Sequence, residues 1–172
     1  FAKVNSFGPS HFSFNVDGGR CPQCLGEGNI TIPMQFMADV RMVCEECGGK
    51  RFKPIILEVK YCGKDISQIL DMSVVEAIDF FGKQKEATAK RIAQKLKILD
   101  DVGLGYIKLG QNSSSLSGGE SQRIKLAQFL SKDSAANNKI LFIFDEPTTG
   151  LHFGDIKTLL SAFNALIDIG HT

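Results

Sequence analysis

Ile140-Leu141-Phe142-Ile143-Phe144-Asp145-Glu146-Pro147-Thr148-Thr149-Gly150 sets a continuous apolar run directly before two carboxylates and a proline. Such a run, opening at Lys139, suits a strand buried on both faces, as in a parallel sheet. Pro147 stops it, because proline offers no N–H to a ladder. A carboxylate at the end of a buried strand can hold Mg²⁺, directly or through water, while its neighbour orients or deprotonates an attacking water. Asp145 and Glu146 alone fit a solvated strand boundary equally well, so the segment before them decides.

That segment is Leu116-Ser117-Gly118-Gly119-Glu120-Ser121-Gln122-Arg123. Ser117 is a natural helix N-cap, and Gly118 and Gly119 let the backbone approach a ligand closely. The helix behind them starts with unsatisfied N–H groups and the positive end of its dipole, which together attract a phosphate. Glu120 suits the first turn, and Ile124, Leu126, Ala127, Phe129 and Leu130 continue with helical spacing. A glycine-rich helix start is weak evidence by itself. Placed before the Asp-Glu-Pro-Thr-Thr-Gly run, it describes half of an ATP-hydrolysing site. The other half, a phosphate cradle of the form Gly-x-x-x-x-Gly-Lys-[Ser/Thr], is not in the sequence. Gly48-Gly49-Lys50 lacks the upstream glycine and the following hydroxyl. With Phe1 at one end, Gly170-His171-Thr172 at the other and one buried strand near the chemistry, the chain reads as an internal segment of a longer protein.

Four cysteines carry a second signal. Cys21-Pro22-Gln23-Cys24 and Cys44-Glu45-Glu46-Cys47 have the spacing of a structural four-thiolate zinc site. Ile30, Ile32 and Phe36 alternate like a strand, Ala38-Asp39 can turn, and Val40, Met42 and Val43 lead back, so the two knuckles can meet. Zinc at such a site contributes about 10–16 kcal/mol in small peptides, enough to organise a module with little core. No signal-like segment points to an oxidising compartment and disulfides. Cys62 stands in a strand-like stretch, Leu57 to Cys62, and reads as a small core residue. Cys21 to Gly28 spells C-x-x-C-x-G-x-G, the repeat of DnaJ-type chaperone zinc centres. Cys44 to Arg51 nearly repeats it, with Arg51 where the second glycine is expected.

With 172 residues, 43% of them hydrophobic, the chain can bury one modest domain plus an insertion. No apolar run approaches the roughly 18 residues that a membrane span requires. Residues 1–64 hold 8 basic and 6 acidic side chains and residues 65–172 hold 12 and 13, so bulk charge does not prove a nucleic-acid partner. A basic cluster at Lys50, Arg51 and Lys53 beside the second knuckle fits either a solvated rim or a DNA contact. Ser73 and Glu76 form a capping-box pattern for a helix to about Phe81. A longer helix is expected over Glu86–Asp101, with Ala89, Ile92, Ala93, Leu96 and Leu99 on one face, ended by Gly103 and Gly105. A last helix is expected from about Gly154 to Ile169.

The Leu-Ser-Gly-Gly-Glu and Asp-Glu-Pro-Thr-Thr-Gly-Leu-His runs resemble the signature and Walker B/D-loop segments of ABC-type ATPases. Joined to the knuckles, the order resembles the C-terminal half of the UvrA family, the damage-sensing excinuclease ATPases of bacterial nucleotide excision repair. The likeness covers nearly the whole chain, including Phe12 to Val16, Gly18 to Cys21, Leu57 to Val59 and Val102 to Gly110. Ser10-His11 stand where that family commonly has Gly-Arg, and Asn112 to Ser115 replace a proline-containing linker. The resemblance implies an α/β, partial ABC-type (P-loop NTPase) core with a helical signature subdomain and a four-cysteine zinc-binding β insertion. It divides the chain into a zinc insertion (1–64), a helical signature subdomain (65–116), and a signature helix, Walker B strand and D-loop (117–172).

It also implies roles. Ser117, Gly118, Gly119 and Glu120 would touch the γ-phosphate of ATP on an opposing nucleotide domain. Asp145 would serve Mg²⁺ and Glu146 the attacking water, while Gly150, Leu151 and His152 would cross the interface between domains. Cys21, Cys24, Cys44 and Cys47 would hold Zn²⁺. The implied partners are damaged double-stranded DNA, a UvrB-like protein and a second copy of the full-length protein. The implied setting is cytoplasmic DNA repair within the SOS response, with no membrane. An isolated chain without the cradle is expected not to turn over ATP. A nucleic-acid-binding zinc ribbon, or a DnaJ-like chaperone module, is the reading that needs no ATPase role.

Overall fold

The computed structural model describes residues 5–130, 140–149, 153–168 and 170. They form two compact units, residues 1–70 and residues 71–172.

In the first unit, strands β1 (Asn29–Ile32) and β2 (Val40–Val43) pair antiparallel, with Asn29 opposite Val43 and Ile32 opposite Val40. The expected fold-back therefore exists, but it stops short of Phe36, which lies in the connecting loop and is 95% exposed. Alternation alone cannot carry a strand past the last residue that has a partner. Below the hairpin, the core is the four cysteines with Ile30 packed against them, and Phe52 and Ile56 are fully buried. Gly19 permits the close approach of the segment at His11, since a Cβ there would lie 1.8 Å from the His11 carbonyl oxygen.

Leu57 to Cys62 is not a strand. Helix α1 (Pro54–Leu57) starts on a proline at its first turn, where the missing N–H costs nothing. The chain then reverses at Cys62 and Gly63, both at positive φ, and Tyr61 bridges Lys64. Cys62 is exposed rather than buried. Helix α2 (Ile66–Leu70) closes the unit. The Asp65 carboxylate before it accepts from Lys60 Nζ at 2.7 Å and from the Gln68 N–H at 2.9 Å. Burial alone would raise the Asp65 pKa, but the Lys60 bond and the backbone donors hold it below its ordinary value.

The second unit is helical. Helix α3 (Val74–Gly82) begins with the expected capping box, in which Ser73 and Glu76 satisfy each other's backbone N–H. The next orphan donors, the N–H groups of Val74 and Val75, go to the carbonyls of Ile107 and Gly105. Helix α4 (Ala87–Asp101) packs on α3 and buries Ala89 and Ala93, with Ile92 left at the rim of its apolar stripe. It ends before Gly103, which takes φ +76°. Helices α5 (Gly118–Leu130) and α6 (Phe153–Asp168) complete the unit around Val102, Leu104, Leu126 and Leu159.

The segment 140–144 departs most from expectation. It is not paired as a strand, and Leu141 and Ile143 are 69% and 87% exposed. Phe142 and Phe144 do pack inward: Phe129 meets Phe142 edge-on at 5.0 Å, and Phe144 lies 4.5 Å from Phe163. Period-two burial is thus present on one side. A strand buried on both faces needs ladder partners, and among the described residues none lies beside this one. Leu126→Ala, which empties a fully buried position between α5 and its neighbours, should lower stability by about 3 kcal/mol, measured by urea denaturation.

Candidate functional site

The ATP-type residues sit on the start of α5 and on the turn that follows Phe144. Ser117 caps α5: its Oγ accepts from the Glu120 N–H at 3.2 Å, and Glu120 Oε2 accepts from the Ser117 N–H at 2.7 Å. The expected helix is formed, with a closed capping box that fixes the direction of its first turn. Ser117 and Gly118 are exposed at this end, and Gly119 is buried beneath them. A Cβ on Gly119 would come within 3.2 Å of the Thr149 carbonyl oxygen and 3.3 Å of an Arg123 nitrogen. That glycine thus eases the close approach of the acidic loop.

Asp145 and Glu146 are both exposed, in a tight turn where the Thr149 N–H donates to the Glu146 carbonyl at 3.1 Å. Glu146 takes φ +44°, a conformation that a residue with a Cβ adopts at a cost. Thr149 Oγ1 reaches Glu146 Oε2 at 3.3 Å.

Two side chains bind this turn to α5. Gln122 Nε2 donates to the Asp145 carbonyl at 2.8 Å, and Arg123 donates through its terminal nitrogen to the Pro147 carbonyl at 3.0 Å. Arg123 is 1% exposed. Its Nε and the Gln122 Oε1 are the buried polar atoms left without partners among the described residues. A third side chain, Tyr106, donates its hydroxyl to Glu120 Oε1 at 2.6 Å. That bond, then the Ser117 N–H, holds the Glu120 carboxyl below its ordinary pKa. Burial, reinforced by Glu120, raises the Tyr106 phenol. Sequence reasoning missed Tyr106, Gln122 and Arg123. Gly150, Leu151 and His152 lie outside the described residues.

The second constellation is the cysteine cluster in the first unit. The four sulfurs lie within 4.8 Å of one another. Across the knuckles, Cys21 Sγ is 3.9 Å from Cys44 Sγ and Cys24 Sγ is 3.7 Å from Cys47 Sγ. A disulfide requires about 2.05 Å, whereas sulfurs about 2.3 Å from a tetrahedral Zn²⁺ are separated by about 3.8 Å. The donor set and its spacing fit a four-thiolate metal.

The knuckles are related as copies. The Cys21 N–H donates to the Arg51 carbonyl at 2.8 Å, and the Cys44 N–H donates to the Gly28 carbonyl at 3.0 Å. Each knuckle turns through a matching bond, Glu27 N–H to the Cys24 carbonyl and Lys50 N–H to the Cys47 carbonyl. The Gly28 N–H reaches Cys24 Sγ at 3.2 Å. Gln23 Oε1 bridges from one knuckle to the other, accepting from Cys44 Sγ at 3.1 Å and from the Glu46 N–H at 3.2 Å. Burial pushes the Cys47 thiol up to about 12 and raises Cys21, whereas the Cys47 backbone N–H lowers Cys44. These thiols give up their protons to a cation, so metal loading releases protons.

A phosphate-type helix start tied to an Asp-Glu turn is the arrangement of an ABC nucleotide-binding segment, and the family comparison decides it. Residues 26–149 match the ABC transporter family model. The chain belongs to the ABC transporter family. ABC proteins as a family hydrolyse ATP with Mg²⁺. Within it, the chain is similar to UvrABC system protein A of Clostridium tetani, 53% identical over 99% of this chain and 17% of the relative. The protein of the same name from Thermus thermophilus is 52% identical over 99% of this chain and 17% of its own length. The crystal structure of UvrA2 from Deinococcus radiodurans superposes with a TM-score of 0.86 at 42% identity, covering 99% of this chain and 20% of that one. The chain thus spans about a sixth of the length of the curated relatives it matches. Among the described residues, no helix is long and apolar enough to cross a membrane.

The Glu120 contacts of this ABC segment carry a measurable consequence. Because the folded pKa of Glu120 lies below its unfolded value of about 4.3, its contribution to stability is present above that value and is lost as pH falls through the depressed folded one. Tyr106→Phe, which removes the principal donor, should move the Glu120 pKa back up, as read by carboxyl-detected NMR titration.

Proposed function

We propose that the chain is a working part of an ATP-driven, DNA-damage-recognising protein of the UvrA kind, acting in nucleotide excision repair. One observation carries this reading. Identity above 50% to UvrABC system protein A runs over 99% of the chain, through both the zinc-type knuckles and the ATP motifs.

On this reading Ser117, Gly118, Gly119 and Glu120 meet the terminal phosphate of ATP held by an opposing nucleotide domain. The helix start supports this, because its N–H donors and dipole favour an anion. Asp145 holds Mg²⁺, which when bound neutralises phosphate charge. Glu146 orients the attacking water and accepts its proton. The exposed turn leaves both carboxylates accessible, and the ties from Gln122 and Arg123 fix the backbone that carries them. Cys21, Cys24, Cys44 and Cys47 hold a structural Zn²⁺, and their near-tetrahedral spacing supports it. The zinc unit faces damaged duplex DNA. The full-length protein works as a homodimer in the cytoplasm with a UvrB-like partner. The phosphate cradle for the site served by Asp145 lies outside this sequence, so the chain alone does not turn over ATP.

In a full-length ATPase carrying this segment, Glu146→Gln should retain ATP binding while hydrolysis falls by at least about a hundredfold. Unchanged turnover would remove Glu146 from its role. Elemental analysis of the purified chain should find zinc near one per chain, falling steeply in Cys44→Ser. A zinc-free wild-type chain would overturn the assignment of the cysteines.

A further inference from the structure

The two knuckles are near copies, and they exchange a glycine for a side chain at two positive-φ positions, Leu25 against Gly48 and Arg51 against Gly28, of which only the second carries a charge. Gly28 ends the first at φ +77° and Arg51 ends the second at φ +70°. Each residue has the same backbone duty, offering its carbonyl to the first cysteine of the opposite knuckle. Glycine performs that duty without strain, whereas a residue with a Cβ is disfavoured there. Gly28 has no choice, because a Cβ would lie 2.8 Å from the Gly49 carbonyl oxygen. Arg51 holds a side chain at a position where its counterpart has none. A strained conformation that persists calls for a side chain with work to do.

The surroundings say what kind of work. The backbone around Arg51 is locked to the strand-like pair opposite it, with Arg20 bridged to Phe52 and the Lys53 N–H donating to the Gly19 carbonyl. Two of the neighbouring cations are occupied. Arg20 is paired with Asp17 and donates to the Leu25 carbonyl, and Lys53 Nζ donates to the Gly18 carbonyl. The Arg51 guanidinium instead lies 5.1 Å over the ring of Phe14. A ring face orients a guanidinium without consuming its N–H donors. It stands half-buried next to exposed Lys50.

We propose that Arg51, steadied on Phe14, is a phosphate-contacting residue through which the zinc unit grips the DNA backbone. The proposal rests on the reading above that this unit faces duplex DNA. It adds the residue, the group contacted and the reason for the strain.

The test measures two quantities that move in opposite directions. Zinc-loaded chain is titrated against a fluorescent duplex at a series of salt concentrations. Arg51→Gly should weaken binding about threefold to tenfold and flatten the slope of log K against log salt by about one, as expected for the loss of one phosphate contact. The same substitution should raise the melting temperature of the cobalt-loaded module, followed by its thiolate-to-cobalt absorption, because it removes the strain. Arg51→Lys, which keeps the charge, should keep the salt slope. An unchanged slope in Arg51→Gly would overturn the phosphate contact. A lowered melting temperature would overturn it too, by showing that the side chain is held for its packing on Phe14. A slope lost equally in Arg51→Lys would overturn the role of charge. Failure of the wild-type chain to bind duplex at low salt would sink the DNA-facing reading itself, whereas binding indifferent to Arg51 would sink this inference alone.

Discussion

The buried guanidinium of Arg123 is the constraint on which the ATP-type site depends. A cation 1% exposed is costly, and its donation to the Pro147 carbonyl, together with its interactions with Tyr106 and Glu120, helps to offset that cost. The bond can form only if the turn after Phe144 lies against the first turns of α5. Gly119 allows that approach by having no side chain, and Gln122 repeats the tie one residue earlier through the Asp145 carbonyl. Neighbouring features of one helix thus set the position of a loop far away in sequence. The strained backbone of Glu146 fits the same logic. A left-handed residue persists where its flanks are held, and both Asp145 and Pro147 are held.

The first unit solves a different problem. It has little apolar core beyond Phe52, Ile56 and the cysteines themselves, so backbone hydrogen bonds exchanged between two copies of one turn take over its organisation. Each knuckle supplies the acceptor that the other needs, so neither is closed without its mate. The sulfurs are brought to near-tetrahedral spacing by this exchange. Gln23 adds a side-chain bridge on the same scheme.

What was legible in the sequence was whatever depends on near neighbours. The capping box at Ser73, the N-cap at Ser117 and the cysteine spacing are set within a few residues, and all formed, as did the stripe of α4 apart from the exposed Ile92. What was not legible depends on partners that leave no mark in the pattern. Gln122 and Arg123 act on backbone carbonyls, which every residue has, so no residue type at 145 or 147 announces them. Arg123 even occupies the buried face of its helix, where a charge reads as a break in the apolar stripe. The stretch from Leu57 to Cys62 has β-like composition, yet Pro54 starts a helical turn and the left-handed pair Cys62 and Gly63 reverses the chain. Phe36 continues an alternation whose partner strand has already ended. Residues 140–144 show that a burial pattern can survive without the hydrogen-bonded strand it predicts: their inward phenylalanines pack as expected while their backbone lacks a ladder.

Helix α5 gains its importance from serving two places at once. In the proposed ATPase, its N-terminus meets a phosphate at one nucleotide site, while the turn it tethers serves the metal and water at another. Both sets of groups are attached to a single rigid helix, one through its cap and the other through Gln122 and Arg123. The cap is itself tied outward, because Glu120 closes on Ser117 and accepts from Tyr106. A displacement of the first turn therefore has two outlets: it must strain the Tyr106 contact, or carry the Asp145–Pro147 backbone with it. The Tyr106 bond to the Glu120 carboxylate is the shortest of these ties, and the Gln122 tie to Asp145 is as exposed as it is, so both outlets resist displacement.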